Sequence, residues 1–299
     1  MTSVQRPAAL LRVTGEDAFV FLQGQFTNEL RQAMGGLTYG LWLNQKGKVI
    51  ADSHVLRVAE REFMVISDAS PAAVIRKRLE DHIVADDVTL TDETATVHGV
   101  TLWGAGAGGL VTGLLGEKPP AGGFIRCDEI LVFPGRGLPG ENYALLGPEA
   151  RIGRLREQLI GRGCLEVGRE ETEYARIAAG IPGIPQDVGP DDLPNEGGLE
   201  GSTLSYTKGC YLGQEVMARL KNSGQVRRRL HVVRGHGLVR GPRPALYQGP
   251  KKVGELRSHA HRGGEFVAFA MLSVINLNTE AGLSFAPDGP AVVTLDRHG

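Results

Sequence analysis

The side chains best suited to chemistry are concentrated in residues 208–215, which hold a cysteine, a lysine, a tyrosine, an amide and a carboxylate. Apolar residues then recur every four positions from Leu212, so the sequence predicts a helix that begins close to Cys210. The positive end of that helix and the ammonium of Lys208 would both favour a thiolate at Cys210, which is the reactive form of cysteine. The alternative is a buried structural cysteine at a helix entry, because free cysteines most often belong to the core.

These eight residues resemble the signature of the YgfZ family of folate-binding proteins and read Lys-Gly-Cys-Tyr-Leu-Gly-Gln-Glu. Residues 15–28 and 43–52 are similar to two further segments of that family. Its members are related to the aminomethyltransferase (T-protein) of the glycine cleavage system. The similarity extends over residues 10–272. It implies a bound cofactor, tetrahydrofolate or a one-carbon derivative of it, and a role in iron–sulfur cluster assembly or repair.

The resemblance also implies which residues form the site. Cys210, Lys208 and Asp52 would be the catalytic group, with the thiolate beside the folate. The residues expected to contact the folate are Asn44, Lys46, Asp52, Arg176, Tyr211, Gln214 and Glu215. The acid of the aminomethyltransferases corresponds either to Asp52 or to Ala51, and in the second case this chain lacks it.

Two positions depart from the pattern of these families. Ala178 stands where aminomethyltransferases carry a glutamate that contacts the pterin, and Gly198 stands where an asparagine is usual. Both departures weaken the expectation of a transfer enzyme. No metal site is expected, because His259 and His261 have no third ligand in the sequence pattern and a polar turn accounts for them.

Three functions are compatible with these features. The first is a folate-dependent accessory protein that supports iron–sulfur enzymes, including enzymes that modify tRNA, through Cys210. The alternative is a folate-dependent one-carbon (aminomethyl) transferase in which Asp52 is the acid or base. The third is a folate-binding module without chemistry, so whether the chain is an enzyme is left open.

Composition limits the partners. The 299 residues include 33 Lys and Arg against 34 Asp and Glu, a balance that argues against direct nucleic-acid binding and against an anionic membrane partner. We expect neither a signal peptide nor a membrane-spanning helix, since no apolar run reaches 18 residues. Three cysteines without a Cys-x-x-Cys pair indicate a reducing compartment, so the expected location is cytoplasmic. The expected partners are folate and iron–sulfur client or assembly proteins, and the chain is expected to be a monomer.

Alternating strand and helix patterns predict an α+β fold. Short apolar runs separated by Gly/Pro turns predict a small β-rich domain after residue 224. The resemblance implies that residues 1–224 form a folate-binding α/β body of two subdomains and that residues 225–299 form a C-terminal β-barrel. The resemblance adds that these modules form a ring around a central folate site. Residues 104–109 match a dinucleotide-binding glycine pattern, but the helix that follows is too short, so a simple turn is predicted. The basic residues 76–78 are expected on a solvated helix face, and the long loop 184–202 is expected to serve a site.

Overall fold

The computed structural model describes residues 1–224, 226–275 and 277–296. Its strands are β1 (Thr2–Val4), β2 (Ala9–Thr14), β3 (Leu37–Leu43), β4 (Val49–Ala59), β5 (Glu62–Ser67), β6 (Thr89–Asp92), β7 (His98–Trp103), β8 (Ile125–Cys127), β9 (Ile130–Pro134), β10 (Asn142–Gly147), β11 (Arg228–His236), β12 (Ala245–Gln248), β13 (Lys251–Arg262), β14 (Glu265–Ser273) and β15 (Val293–Leu295). Its α-helices are α1 (Ala18–Gln25), α2 (Ala72–Glu80), α3 (Ala107–Leu115), α4 (Glu149–Gly161), α5 (Arg169–Ala178), α6 (Glu200–Thr203) and α7 (Gln214–Ser223). These elements form three five-stranded antiparallel sheets with helices on their faces, a mixed α/β fold.

The first sheet has the strand order β3-β4-β5-β2-β6. Successive residues of a strand point to opposite faces, so Leu11 and Val13 of β2 pack beneath α1 and α2 while Leu10 faces the other way. The predicted hairpin around Gly47 is confirmed, since it joins β3 to β4. Gly47 has a φ of 71°, which a residue with a side chain rarely adopts.

The second sheet has the order β1-β7-β10-β9-β8 and carries α3 and α4 on one face. Its other face lies against the first sheet, where Phe133 and Leu146 pack with Leu56 and Met64. The two sheets are therefore stacked face to face, and the polar groups at the margin of this contact enclose space between them.

The third sheet has the order β12-β13-β14-β11-β15, and here the prediction of a C-terminal β-barrel is wrong. The sheet curls into a half-barrel but does not close. Within the described residues, the two outer strands β12 and β15 do not pair with each other. Between them lie only isolated bridges, from Tyr247 of β12 to Ser284 and from Val293 of β15 to Leu283. Strands of four and three residues are too short to form the continuous hydrogen-bonded seam that closure requires.

The long loop 184–202 joins the first and third sheets. Val188 and Leu199 are buried against Leu41 and Leu43 of β3, so this loop is part of a hydrophobic core. On its other side the carboxylate of Asp192 accepts hydrogen bonds from arginines of the third sheet. The loop is held by both apolar contacts and buried ion pairs, which explains how a segment without regular strands has a fixed position.

The glycine run confirms the turn prediction. Gly104 and Gly106 have φ values of 101° and 84°, and α3 begins directly after them. The sheet around β7 is antiparallel, whereas a dinucleotide-binding unit needs parallel strands. No helix among the described residues has the length and hydropathy needed to cross a membrane.

The basic residues of α2 are only partly solvated. Arg76 and Lys77 are exposed and pair with acidic residues one turn later on the same helix. Arg78 departs from the predicted solvated face: it is buried and its Nε donates a hydrogen bond to the carbonyl of Leu43.

Candidate functional site

A cavity of about 720 Å³ lies where the first two sheets meet α5 and the long loop. We call it the central cavity. The first sheet contributes Tyr39 and Asp52 to its lining, the second contributes Asn142, and the far wall contains Arg176 and Ile184. Small-molecule sites commonly enclose roughly 300–1,000 Å³, so the central cavity has the size of a cofactor site.

Asp52 is held at the cavity wall by a set of hydroxyl donors. Tyr39 donates to its Oδ2 at 2.7 Å, while Ser67 and Ser70 donate to its Oδ1 at 2.8 Å and 2.6 Å. The neighbouring Ala51 points into the hydrophobic core of the first sheet. Of the two residues that the sequence left as alternatives, only Asp52 therefore presents a carboxylate to the central cavity.

A second carboxyl, Asp68, also lines the cavity and follows directly after β5. Burial, with a smaller contribution from the charge of Asp52, raises the pKa of Asp68 from 3.8 to about 6. Near pH 6 the cavity contains a carboxyl that can either donate or accept a hydrogen bond.

The remaining polar wall combines an arginine, a tyrosine and a neutral histidine. The guanidinium of Arg136 lies 4.3 Å from the ring centroid of Tyr39. Burial lowers the pKa of His54 to about 3, so its imidazole is neutral at pH 7. Burial also raises the pKa of the Tyr39 hydroxyl well above its usual value, and this group remains a hydrogen-bond donor to Asp52.

Arg176 lines the central cavity, but its guanidinium is committed to the protein. It donates to Glu173 on the same helix, to Asp187 of the long loop at 2.7 Å, and to the carbonyl of Ile181. A further donation reaches Ser258 of β13 at 2.9 Å. Arg176 therefore positions the far wall by tying α5, the loop and the third sheet together.

The other seven predicted site residues lie elsewhere, around the start of α7 and the turn between β3 and β4. They are Asn44, Lys46, Lys208, Cys210, Tyr211, Gln214 and Glu215. None of them is among the described residues that line the central cavity. The structure thus separates Asp52 and Arg176 from the cysteine motif, whereas the sequence interpretation placed the thiolate beside the folate.

Lys208 has a structural role in this second group. Only 5% of it is exposed, and its ammonium donates to the carbonyls of Gln23, Phe26 and Asn28 at 2.6–2.9 Å. These carbonyls lie in and just beyond the last turn of α1, where the helix dipole favours a cation. Burial lowers the pKa of Lys208 to about 8, so the ammonium remains protonated at pH 7. Its three short donations anchor the motif, while the side chain of Cys210 is exposed.

The turn after β3 supports the first residues of α7. Asn44 accepts hydrogen bonds from the backbone N–H groups of Lys46 and Lys48 through its Oδ1. A Cβ added at Gly213 would come within 2.9 Å of the carbonyl oxygen of Asn44, so only glycine allows this approach. The side chain of Asn44 is therefore occupied by its own turn, and Lys46 is exposed.

The aromatic and polar residues of the motif also contact residues close to them in the chain. Tyr211 is buried, its ring lies 5.3 Å from the Lys208 ammonium, and burial raises its pKa to about 12. Gln214 accepts a hydrogen bond from the backbone N–H of Tyr211. Glu215 is exposed and pairs with Arg219 one turn later. The helix begins at Gln214, four residues after Cys210 and not at the cysteine itself.

Sequence reasoning missed Asp68, Arg136 and Tyr39 as cavity residues. Asp68 follows directly after β5, Tyr39 lies within β3, and Arg136 lies in the loop between β9 and β10. Three polar residues scattered in or between strands are a weak signal. Their importance comes from the stacking of two sheets, which no local pattern encodes.

The fold and the cavity define the class of protein. The chain matches the solved glycine cleavage system aminomethyltransferase T from Bartonella henselae with a TM-score of 0.77 at 17% identity, over 91% of this chain and 78% of that one. Residues 7–132 match the family model of the GCVT N-terminal domain. The chain therefore has the aminomethyltransferase fold and is related to the GCVT family.

Two groups of relatives share its sequence more closely. The mitochondrial iron–sulfur cluster assembly factor IBA57 of Mus musculus is 28% identical over 283 residues, which cover 87% of this chain and 72% of that protein. The aminomethyltransferase of Herpetosiphon aurantiacus is 25% identical over 243 residues, or 78% of this chain and 67% of that protein. The same fold thus occurs in relatives named as an assembly factor and in relatives named as an enzyme.

Proposed function

We propose that this chain is a tetrahydrofolate-binding accessory protein of the YgfZ type, which supports iron–sulfur cluster assembly or repair in the cytoplasm, including that of tRNA-modifying enzymes. The similarity to an iron–sulfur cluster assembly factor across 87% of the chain supports the assembly role. The GCVT-related fold supports the choice of cofactor. The observation that carries the proposal is the central cavity with Asp52 fixed in its wall.

The residues of the central cavity fit a reduced folate. The pterin ring carries amide and amino N–H donors, which match the carboxyl oxygens of Asp52 and Asp68. Asn142 Oδ1 is buried, lines the same cavity and has no hydrogen-bond partner among the described residues, so a ligand donor would satisfy it. The guanidinium of Arg136 adds a donor beside Tyr39. Bound folate would supply a one-carbon carrier, and these side chains would orient it.

Cys210 acts outside the cavity in this proposal. Its side chain is exposed, whereas Lys208 holds the motif backbone against α1. An exposed thiol on a rigid support can meet a partner protein, so we assign Cys210 to the contact with an iron–sulfur client or assembly protein. The folate and the thiol are then two separate sites on one scaffold.

Titration with tetrahydrofolate under anaerobic conditions tests the cofactor. We expect the melting temperature to rise with ligand concentration by mass action, and we expect Asp52→Ala to reduce the rise. Lys46→Ala is the matched control, because Lys46 is exposed and lies away from the cavity. A wild-type protein whose melting temperature is unchanged by millimolar tetrahydrofolate would contradict the proposal.

Complementation tests the thiol. In cells that lack the protein and have low iron–sulfur enzyme activity, Cys210→Ala should fail to restore that activity although it folds. Cys164→Ala is the control, because Cys164 is partly buried against the core of the second sheet. Full restoration by Cys210→Ala would remove the cysteine from the mechanism.

A second function is favoured by one feature of the cavity. Asp52 is a carboxylate held by three hydroxyl groups in a site of cofactor size, as an acid or base for one-carbon transfer would need to be. Relatives named aminomethyltransferase support this alternative. Transfer of a methylene group to tetrahydrofolate from an aminomethyl donor, abolished by Asp52→Asn, would establish it over the accessory role.

A further inference from the structure

The surface around Cys210 is open to solvent, and the exposed residues beside the thiol are small. Gly209 is exposed next to it, and Ala218 is exposed on the second turn of α7. The turn between β3 and β4 packs against the start of α7 and borders this surface. We call residues 44–48 and 208–221 together the cysteine face. Its small residues allow another molecule to approach the thiol closely.

A buried arginine lies beneath the cysteine face without a counter-ion. Arg78 is 7% exposed, and it donates to the carbonyl of Leu43 and to the side-chain oxygen of Gln25, both of them uncharged. Its Nη2 has no hydrogen-bond partner among the described residues. The buried arginines Arg176 and Arg257 are each paired with a buried aspartate. Because buried charges in proteins are normally paired, Arg78 is an exception that an anion from outside the chain would remove.

The two acceptors of this guanidinium adjoin the chain between Cys210 and α7. One acceptor is Leu43, and its Cβ lies 3.2 Å from the place that a Cβ would take at Gly213. The other acceptor follows Gly24, whose carbonyl accepts a hydrogen bond from the N–H of Leu212 at 3.3 Å. The buried positive charge therefore lies close to the segment that follows the thiol.

Lys208 supplies a second buried cation. The three acceptors of its ammonium are backbone carbonyls, which carry only partial charges. The charge of Glu29 acts on Lys208, but this carboxylate is already paired with Arg31. In the same way Asp81, whose charge acts on Arg78, is paired with a lysine of its own helix. Neither buried cation thus has a carboxylate of its own within the described part of the chain.

Two exposed lysines extend the positive charge to the surface. Lys46 lies in the turn that packs against the start of α7. Lys221 lies in the last turn of the same helix, with its Nζ 4.3 Å from the ring centroid of Tyr206. The carboxylate of α7, Glu215, pairs with Arg219 and with neither lysine. Both lysines therefore keep their charge available to a partner.

The cysteine face has an excess of positive charge, although the net charge of the whole chain is -1. Among the described residues, the cations in or beneath the face that form no ion pair are Lys46, Lys48, Arg78, Lys208 and Lys221. The unpaired carboxylates beside it are Asp191 and Glu200. Five cations against two carboxylates leave a positive field at the thiol, and salt screens its buried part less than its exposed part.

We propose that the cysteine face is a docking surface for an acidic segment of a partner protein, whose carboxylates lie over the buried cations and bring the partner to Cys210. Complementary charge of this kind raises the rate of encounter and excludes partners of the wrong sign. The existence of the partner rests on the proposed function, whereas the preference for negative charge rests only on the surface.

Exchange of Cys210 with charged peptide disulfides tests the charge preference. The chain used carries Cys127→Ala and Cys164→Ala, so that Cys210 is its one thiol. The probes are three cysteine peptides activated as 2-pyridyl disulfides, and their flanking residues are all aspartate, all asparagine or all lysine. The Cys210 thiolate attacks the peptide sulfur, the bond to the pyridyl sulfur breaks, and the leaving group takes up a proton as pyridine-2-thione, whose absorbance is measured. Each rate is divided by that of the same peptide with 2-mercaptoethanol, which removes intrinsic differences.

At low ionic strength we expect the aspartate peptide to react about five- to tenfold faster than the asparagine peptide, and the lysine peptide to react more slowly. These differences should disappear in about 0.5 M salt. Lys46→Gln combined with Lys221→Gln should lower the aspartate-to-asparagine ratio to about two or less. Lys251→Gln is the control, because Lys251 is an exposed lysine of β13 outside the cysteine face, and it should keep the ratio. Equal normalised rates for the three peptides overturn the proposal.

Arg78→Met tests the buried cation by itself. Methionine fills similar space without a charge, so this variant should lower the ratio while its urea unfolding transition stays cooperative. An unchanged ratio in the folded variant would remove Arg78 from the docking surface.

Complementation links this preference to the partner. In cells that lack the protein, Lys46→Glu combined with Lys221→Glu should restore iron–sulfur enzyme activity poorly, whereas Lys251→Glu should restore it fully. Full restoration by the double charge reversal would overturn the acidic partner. Full restoration by Cys210→Ala would instead contradict the proposed function, and the peptide rates would still decide the charge preference of the surface.

Discussion

Substitution of Asp68 by asparagine should stabilise the unliganded protein at neutral pH but not in acid. The pKa of Asp68 is raised from 3.8 to about 6 because the carboxyl is buried close to Asp52. A raised folded-state pKa means that the folded chain binds the proton more tightly than the unfolded chain between these two pH values. The contribution of Asp68 to stability is therefore complete below pH 3.8 and is lost as the pH rises through about 6.

The shift sets the size of the effect. At about 1.36 kcal/mol for each pKa unit, ionised Asp68 costs the folded state up to about 3 kcal/mol at pH 7. The amide that replaces this carboxyl cannot ionise. The difference in the free energy of unfolding between Asp68→Asn and the wild-type chain should therefore shift by about 2 kcal/mol in favour of the variant between about pH 4.5 and pH 7. Urea unfolding at several pH values measures this gain as a change in the transition midpoint.

Two comparisons make the measurement decisive. Asp191→Asn, at an exposed aspartate of the long loop, should change stability by less than about 0.5 kcal/mol at every pH. Asp52→Asn should lower the pKa of Asp68 and weaken the pH dependence, because it removes the neighbouring charge. A difference between Asp68→Asn and the wild-type chain that is constant across this pH range would refute the account of the cavity electrostatics.

Three further outcomes follow from the structure. Lys208→Met should destabilise the protein by about 3 kcal/mol or more in urea unfolding, because three carbonyls near the end of α1 lose their donor; a loss below about 1 kcal/mol would mean that they find other donors. Cys210→Ala should change stability by less than about 0.5 kcal/mol, and in the wild-type chain Cys210 should be the first cysteine alkylated; earlier modification of Cys127 would contradict the exposure seen here. Gly106→Ala should cost about 1 kcal/mol, because φ is 84° there while the space around the position is open; a neutral effect would show that the turn relaxes.

Local patterns in the sequence were enough to predict several helices, strands and turns. The hairpin at Gly47, the turn at Gly106 and the presence of a helix after the cysteine motif, though not its first residue, all follow from residue spacing and from the backbone freedom of glycine. The motif around Cys210 pointed to a relationship that the fold and the similar proteins support at the level of the GCVT family. These features depend on residues close together in the chain, so the sequence alone could carry them.

The tertiary structure decided how these elements serve a site. Whether Asp52 or Ala51 faces the cavity depends on the register of β4 within the first sheet, and Asp68 gains its raised pKa only because other elements cover it. In the sequence, Lys208 was interpreted as a charge beside the Cys210 thiol. In the structure its ammonium donates to carbonyls that lie 180 to 185 residues away in the chain. The third sheet carries strand patterns typical of a barrel but stays open, because closure depends on the pairing of two short outer strands. Burial, ionisation and closure arise from contacts between distant segments, and a sequence pattern specifies only the segments.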